Sequence, residues 1–155
     1  MAVFVNGALA TNYQIAGDGP PVALIHGVGA RLENWADVTA RLARRFRVLS
    51  YDLRGAGRST RLPGPYSLQL YAADLLALLD HVGFARCHVA GHSLGGMIAQ
   101  RFAIDHGDRV DRLALLSAVA GRSAEERERV GARVELIRGG IPGGHFQNSL
   151  SRWFT

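Results

Sequence analysis

Ser93 stands at the centre of Gly91-His92-Ser93-Leu94-Gly95, a G-x-S-x-G run. These residue types at this spacing point to nucleophilic catalysis. An apolar, strand-like stretch (Cys87 to Gly91) leads in, and a helix-like stretch ending at Gly107 leads out. Passing from strand to helix within one residue forces the serine into a strained backbone. Side chains at the flanking positions would collide across such a turn, so glycine is needed at Gly91 and Gly95. The hydroxyl then projects from the carboxyl edge of a sheet at a helix N-terminus. Free N–H groups and partial positive charge at that end suit an oxyanion. A second stretch agrees: His26-Gly27-Val28-Gly29 ends an earlier apolar strand. The backbone N–H of Val28 would be one oxyanion donor and that of Leu94 the other, an arrangement worth a few kcal/mol in a transition state.

A serine hydroxyl also needs a base, and the chain has six histidines. His92 adjoins Ser93, and at such a turn its side chain points away from the hydroxyl, toward a pocket. His26 belongs to the His-Gly turn, where a structural hydrogen bond is expected. His106 closes a helix and is expected to interact with its dipole. His81 lies near another helix end, at the surface, and His88 beside a strand start. His145, with Glu135 before it, has the right chain order for a triad, but order alone does not make one. Cys87, the sole cysteine, is expected to be buried, and no internal disulfide can form.

The elements that must hold these groups follow from punctuation and periodicity. Asn6-Gly7 predicts a tight hairpin turn between two strands. Val22 to Gly27 and Arg47 to Asp52 read as short buried strands, and Cys87 to Gly91 and Arg112 to Ser117 as further strands. Asn34 to Phe46 has helical spacing, with Trp35, Val38, Leu42 and Phe46 on one side. Ser67 to Gly83 is the clearest helix, with Ser67 placed to cap its start and Gly83 its end. Ser123 and Glu126 form a capping box before a further helix with an apolar stripe at Val130, Val134 and Ile137. Strands alternating with helices imply an α/β fold, a mostly parallel sheet with helices on both faces. We divide the chain into a core, residues 1–120, and the start of a helical cap or lid, residues 121–155.

Composition removes several function classes. All eighteen basic residues are arginine, and the net charge is +5. The arginines are spread along the chain without aromatic interleaving, so no nucleic-acid partner is expected. Arg54-Gly-Ala-Gly-Arg-Ser59 lacks the spacing and lysine of a phosphate loop. No apolar run approaches the roughly 20 residues of a membrane span, and the first residues do not read as a signal peptide. A cytoplasmic setting is expected, with no metal and no organic cofactor.

The chain resembles the N-terminal part of an α/β-hydrolase. His26-Gly27, "YDLRGAGRS" (Tyr51 to Ser59), "GHSLGG" (Gly91 to Gly96) and "HGDRVDRLALLS" (His106 to Ser117) occur in that family's order. Within it, "PYSLQLYAADLLALLDHVGFARCHVAGHSLGGMIAQRFA" and "SRWFT" are similar to 3-oxoadipate enol-lactonases. The resemblance implies acyl transfer from a small carboxylate-bearing ester or lactone. It implies a structural role for Asp52, and a triad acid and histidine after a seventh and an eighth strand, which this sequence does not include. Without those strands Arg112 to Leu116 becomes an exposed apolar edge that invites self-association. Arg31 and Arg58 are candidates for binding a substrate carboxylate, or simply surface residues. Competing readings are a carboxylesterase, a carbon–carbon bond hydrolase, a cofactor-free haloperoxidase, or a non-catalytic binding fragment.

Overall fold

Gly7, at φ +58°, closes the two-residue loop between β1 (Ala2–Asn6) and β2 (Leu9–Ala16). Glycine adopts that backbone without strain, so the hairpin forms as Asn6-Gly7 predicts. The structure is a computed structural model that describes residues 1–138. Four further strands follow: β3 (Pro21–Ile25), β4 (Arg47–Tyr51), β5 (Cys87–His92) and β6 (Val110–Leu116). The sheet order is β1-β2-β4-β3-β5-β6. The β1–β2 and β2–β4 pairs are antiparallel, and the remaining pairs are parallel. This is the mostly parallel sheet expected of the alternating pattern.

Alternation along the central strands separates two cores. Ala23, Ile25, Leu49, Tyr51 and Val89 pack with Leu75, Leu78 and Leu79 of α2 (Leu68–His81) and Ile98, Ala99 and Phe102 of α3 (Leu94–Asp105). Val22, Leu24 and Val48 face the other way, against Trp35, Leu42 and Phe46 around α1 (Ala36–Leu42). Ser67 Oγ accepts the Leu70 N–H at 3.1 Å, so it caps α2, and Gly83 follows at φ +73°.

Two expectations need correction. The segment after Gly27 is not one helix from Asn34 to Phe46. A 3-10 turn, Leu32–Trp35, precedes the seven-residue α1, and a turn at Leu42 carries the chain to Phe46. Val38 is 38% exposed, whereas Thr39 is buried. Both lie three or four residues from Trp35 and Leu42, and burial shows that Thr39, not Val38, completes the inward stripe. The strand β6 is the exposed apolar edge that was expected: Leu113, Leu115 and Leu116 are 39–43% exposed at this border of the sheet.

The chain divides after Val119. In the second unit α4 spans Ala124–Arg138. Its capping box forms reciprocally: Ser123 N–H donates to Glu126 Oε2 (2.7 Å), and Glu126 N–H to Ser123 Oγ (3.2 Å). Of the expected stripe, Val130 is half-buried and Val134 exposed, while the Ile137 side chain lies outside the described residues.

Candidate active site

β5 delivers Ser93 and α3 begins at the next residue, so the serine alone makes the turn. Its backbone lies at φ +54°, ψ −116°, a region that side chains rarely adopt. The crowding that demands glycine is specific. A Cβ on Gly91 would strike the Gly95 carbonyl and lie 2.6 Å from the Gly96 nitrogen. A Cβ on Gly95 would strike the Ile25 carbonyl and lie 2.6 Å from that of His26. Helix α3 therefore starts with its backbone pressed on the end of β3. The Ser93 N–H donates to Leu116 O (2.9 Å), and Ser93 O accepts from Gly96 N (3.0 Å) and Met97 N (3.2 Å). Leu94, as the first helical residue, has an N–H without an intrahelical partner.

The end of β3 turns beside this elbow. Ala30 N–H donates to Gly27 O (3.3 Å), which closes a four-residue turn with Gly29 at φ +71°. Gly29 thus supplies the positive φ that a type II turn requires at its third residue. Val28, the second residue, is 73% exposed, and its N–H is not used by the turn. A Cβ on Gly27 would lie 3.2 Å from Ser93 Cβ and 3.2 Å from His92 Nδ1. The structure thus brings Gly27, His92 and Ser93 together. A pocket of about 320 Å³ opens here, lined by Gly27, Ala30, Asn34, Trp35, His92 and Leu116. A larger groove, about 360 Å³, lies along Val22, Leu24, Phe46, Leu113 and Ala114. It is almost wholly apolar and lacks the elbow, so the smaller pocket is the candidate site.

His26 and Asp52 are buried, and their atoms are committed. Leu53 N–H donates to His26 Nε2 (3.0 Å), so Nε2 is bare and Nδ1 carries the proton that reaches Gly27 O (2.8 Å). Burial holds the His26 pKa below its ordinary value, against smaller raising effects of the Gly27 carbonyl and Asp52. Asp52 Oδ1 accepts from Leu32 N (2.8 Å), and Oδ2 from Arg58 N (2.9 Å) and Asn12 Nδ2 (2.8 Å). A Cβ on Gly57 would strike that carboxylate. Both residues are structural here, as expected.

The other histidines are accounted for individually. His81 stacks on Phe4 (4.3 Å) and contacts the Tyr13 hydroxyl (3.2 Å). His88 meets the edge of Phe46, and His106 the ring of Phe102. Among the described residues no histidine hydrogen-bonds to Ser93 Oγ; His145 lies outside them. Arg31 and Arg58 are both exposed and share Glu33, each at 3.6 Å. Cys87 is buried, and burial chiefly pushes its thiol up to about 12. Among the described residues no three His, Cys, Asp or Glu side chains gather to hold a metal, and no helix is long and apolar enough to cross a membrane. Sequence reasoning missed Asn34, Trp35 and Leu116 as pocket residues. Only the placement of Trp35 on an apolar stripe hinted at any of them.

The sheet order, the strained serine and the adjacent turn define a class. The α/β-hydrolase-fold family matches residues 20–155, and the chain belongs to it. A hydrolase from Pseudomonas aeruginosa superposes with a TM-score of 0.87 at 30% identity, over 99% of this chain and 59% of its own. The enol-lactonase from Burkholderia xenovorans gives 0.73 at 34% identity, over 76% and 46%. The (E)-2-((N-methylformamido)methylene)succinate hydrolase of Acinetobacter baylyi is 32% identical over 92% of this chain and 54% of its own. Across the curated relatives it matches, the chain spans between 31% and 54% of their length. These relatives support a hydrolytic function.

Proposed function

We propose that this chain carries the nucleophile and oxyanion site of a serine hydrolase. The observation that carries the reading is the strained Ser93 backbone between Gly91 and Gly95, neither of which has room for a Cβ. In this reading Ser93 Oγ attacks an ester or lactone carbonyl carbon and passes its proton to a base. The N–H groups of Val28 and Leu94 hold the oxyanion. The carbon–oxygen bond breaks, the base returns the proton to the leaving oxygen, and water hydrolyses the acyl-enzyme. The base and its acid partner come from outside the described residues, and α4 begins a helical cap or lid. No cofactor takes part, and the setting is cytoplasmic.

The substrate class is a small ester or lactone bearing a carboxylate, with 3-oxoadipate enol-lactone as the leading candidate. Similarity to an enol-lactonase and to a hydrolase named for a succinate derivative supports this. Arg31 and Arg58 around the single Glu33 leave one net positive charge just past the Gly27–Ala30 turn. Fluorophosphonate treatment followed by intact-mass measurement tests the reading. One adduct, absent from Ser93→Ala, is the expected result, and an adduct that survives the substitution overturns it. A folded chain that takes no adduct favours the second reading, a non-catalytic binding fragment. The lack of a described histidine on Ser93 Oγ speaks for that alternative.

A further inference from the structure

The Gly27–Ala30 turn is tied down at both ends to two consecutive residues of another strand's end. At one end His26 Nε2 accepts the Leu53 N–H (3.0 Å). At the other, the Leu32 N–H reaches Asp52 Oδ1 (2.8 Å). The same His26 ring reaches Gly27 O at 2.8 Å through Nδ1, and that carbonyl also accepts the Ala30 N–H. Asp52 is itself fixed. Its Oδ2 accepts from Arg58 N and Asn12 Nδ2, its N–H donates to Asn12 O (2.9 Å), and its carbonyl accepts from Ser59 Oγ (2.7 Å). Ser59 Oγ in turn accepts the Asn12 N–H (3.0 Å). All four polar side chains are buried.

From this closed network we infer that His26 and Asp52 are positioning residues: together they clamp residues 26–32 so that the Val28 N–H is held toward Ser93. The inference rests on the reading of Ser93 as nucleophile and Val28 as oxyanion donor. It gives the buried carboxylate a task other than triad acid. Three N–H donors fill three of its roughly four acceptor sites, and among the described residues no histidine hydrogen-bonds to it. An isolated β-turn with a glycine at φ +71° has many conformations open to it. Two buried tethers, one at each end, remove that freedom before substrate arrives, which is what an oxyanion donor requires.

The test uses the full chain and two variants. Asp52→Asn keeps the shape but turns an amide donor toward other donors. His26→Phe keeps the ring and removes both nitrogens. In the parent, nitrogen-15 spectra of His26 are expected to show a protonated Nδ1 and a bare Nε2. In either variant the Val28, Gly29 and Ala30 amides are expected to shift and exchange at least about tenfold faster, while Leu75 and Leu78 in α2 stay unchanged. The rate of fluorophosphonate addition to Ser93, per folded molecule, is expected to fall at least about tenfold. Unchanged turn amides in the folded variants, or the opposite His26 tautomer in the parent, overturn the inference. The parent spectrum decides even where both variants fail to fold. A parent that takes no adduct defeats the hydrolase reading alone, because the amide and tautomer measurements still judge the clamp.

Discussion

Gly95 and Ile25 approach so closely that a methyl group on the glycine would strike the Ile25 carbonyl oxygen. That contact seats the start of α3 on the end of β3. It also leaves the strain on Ser93, the single residue between the strand and the helix. Gly95→Ala is expected to cost about 3 kcal/mol or more, since backbone and not a flexible side chain must move. Ser93→Gly is expected to stabilise the fold by about 1 kcal/mol, after the entropy of glycine in the unfolded chain is subtracted. Urea denaturation of the three proteins decides; a Ser93→Gly variant weaker than the parent would mean that the backbone there is relaxed.

Arg54 meets Asp74 through two hydrogen bonds, 2.7 and 2.6 Å, with both side chains only 11–12% exposed. The bidentate bond to Asp74 holds the Arg54 pKa above its ordinary value. Arg54→Ala leaves a largely buried carboxylate unpaired and is expected to destabilise by about 3 kcal/mol. The double variant Arg54→Ala/Asp74→Ala is expected to be more stable than Arg54→Ala alone. The reverse order in chemical denaturation would show that Asp74 finds another partner.

The depressed His26 pKa makes stability depend on pH in a defined direction. The folded chain keeps the ring neutral, whereas the unfolded chain binds a proton as pH falls through 6.5. The His26 contribution is therefore complete above that value and is lost progressively below it, down to the folded-state pKa. The slope is at most about 1.4 kcal/mol per pH unit. Denaturation at pH 7.5 and 5.5, in the parent and in His26→Phe, isolates this loss. Equal losses in the two proteins would assign it to other groups.

Cys87 behaves oppositely at high pH. Its folded-state pKa is raised from 9.0 to about 12, chiefly by burial. The unfolded thiol ionises first, so stability falls as pH rises above 9. At pH 8 the native thiol is expected to ignore a disulfide reagent until urea unfolds the chain. Prompt native modification would show that the β5 core opens readily.

The exposed leucines of β6 predict self-association through that edge. Sedimentation at increasing concentration is expected to show it, and Leu115→Lys to reduce it. A parent that stays monomeric at every concentration would remove the expectation.

Much of this fold was legible because its signals are local. Asn6-Gly7, the Ser67 cap, the Ser123–Glu126 box and the glycines around Ser93 each act within a few residues. The mostly parallel sheet followed from strands alternating with helices. What stayed hidden depends on partners far away in the chain. Asp52 accepts from Leu32, Arg58 and Asn12, which lie 20, 6 and 40 residues from it. No periodicity reports such a network. Val38 and Thr39 stand at equivalent helical spacings from Trp35 and Leu42, and hydropathy favoured the valine, yet the fold buries the threonine.

The hydrogen bond from Ser93 N–H to Leu116 O ties the elbow to the last residue of an edge strand. Edge strands fray more readily than central ones and open in units smaller than the whole fold. Each opening of the β6 terminus releases the Ser93 amide. The exchange rate of that single proton therefore becomes a clock for the sheet's border, and a ligand or polypeptide that settles on β6 would slow it without touching the serine.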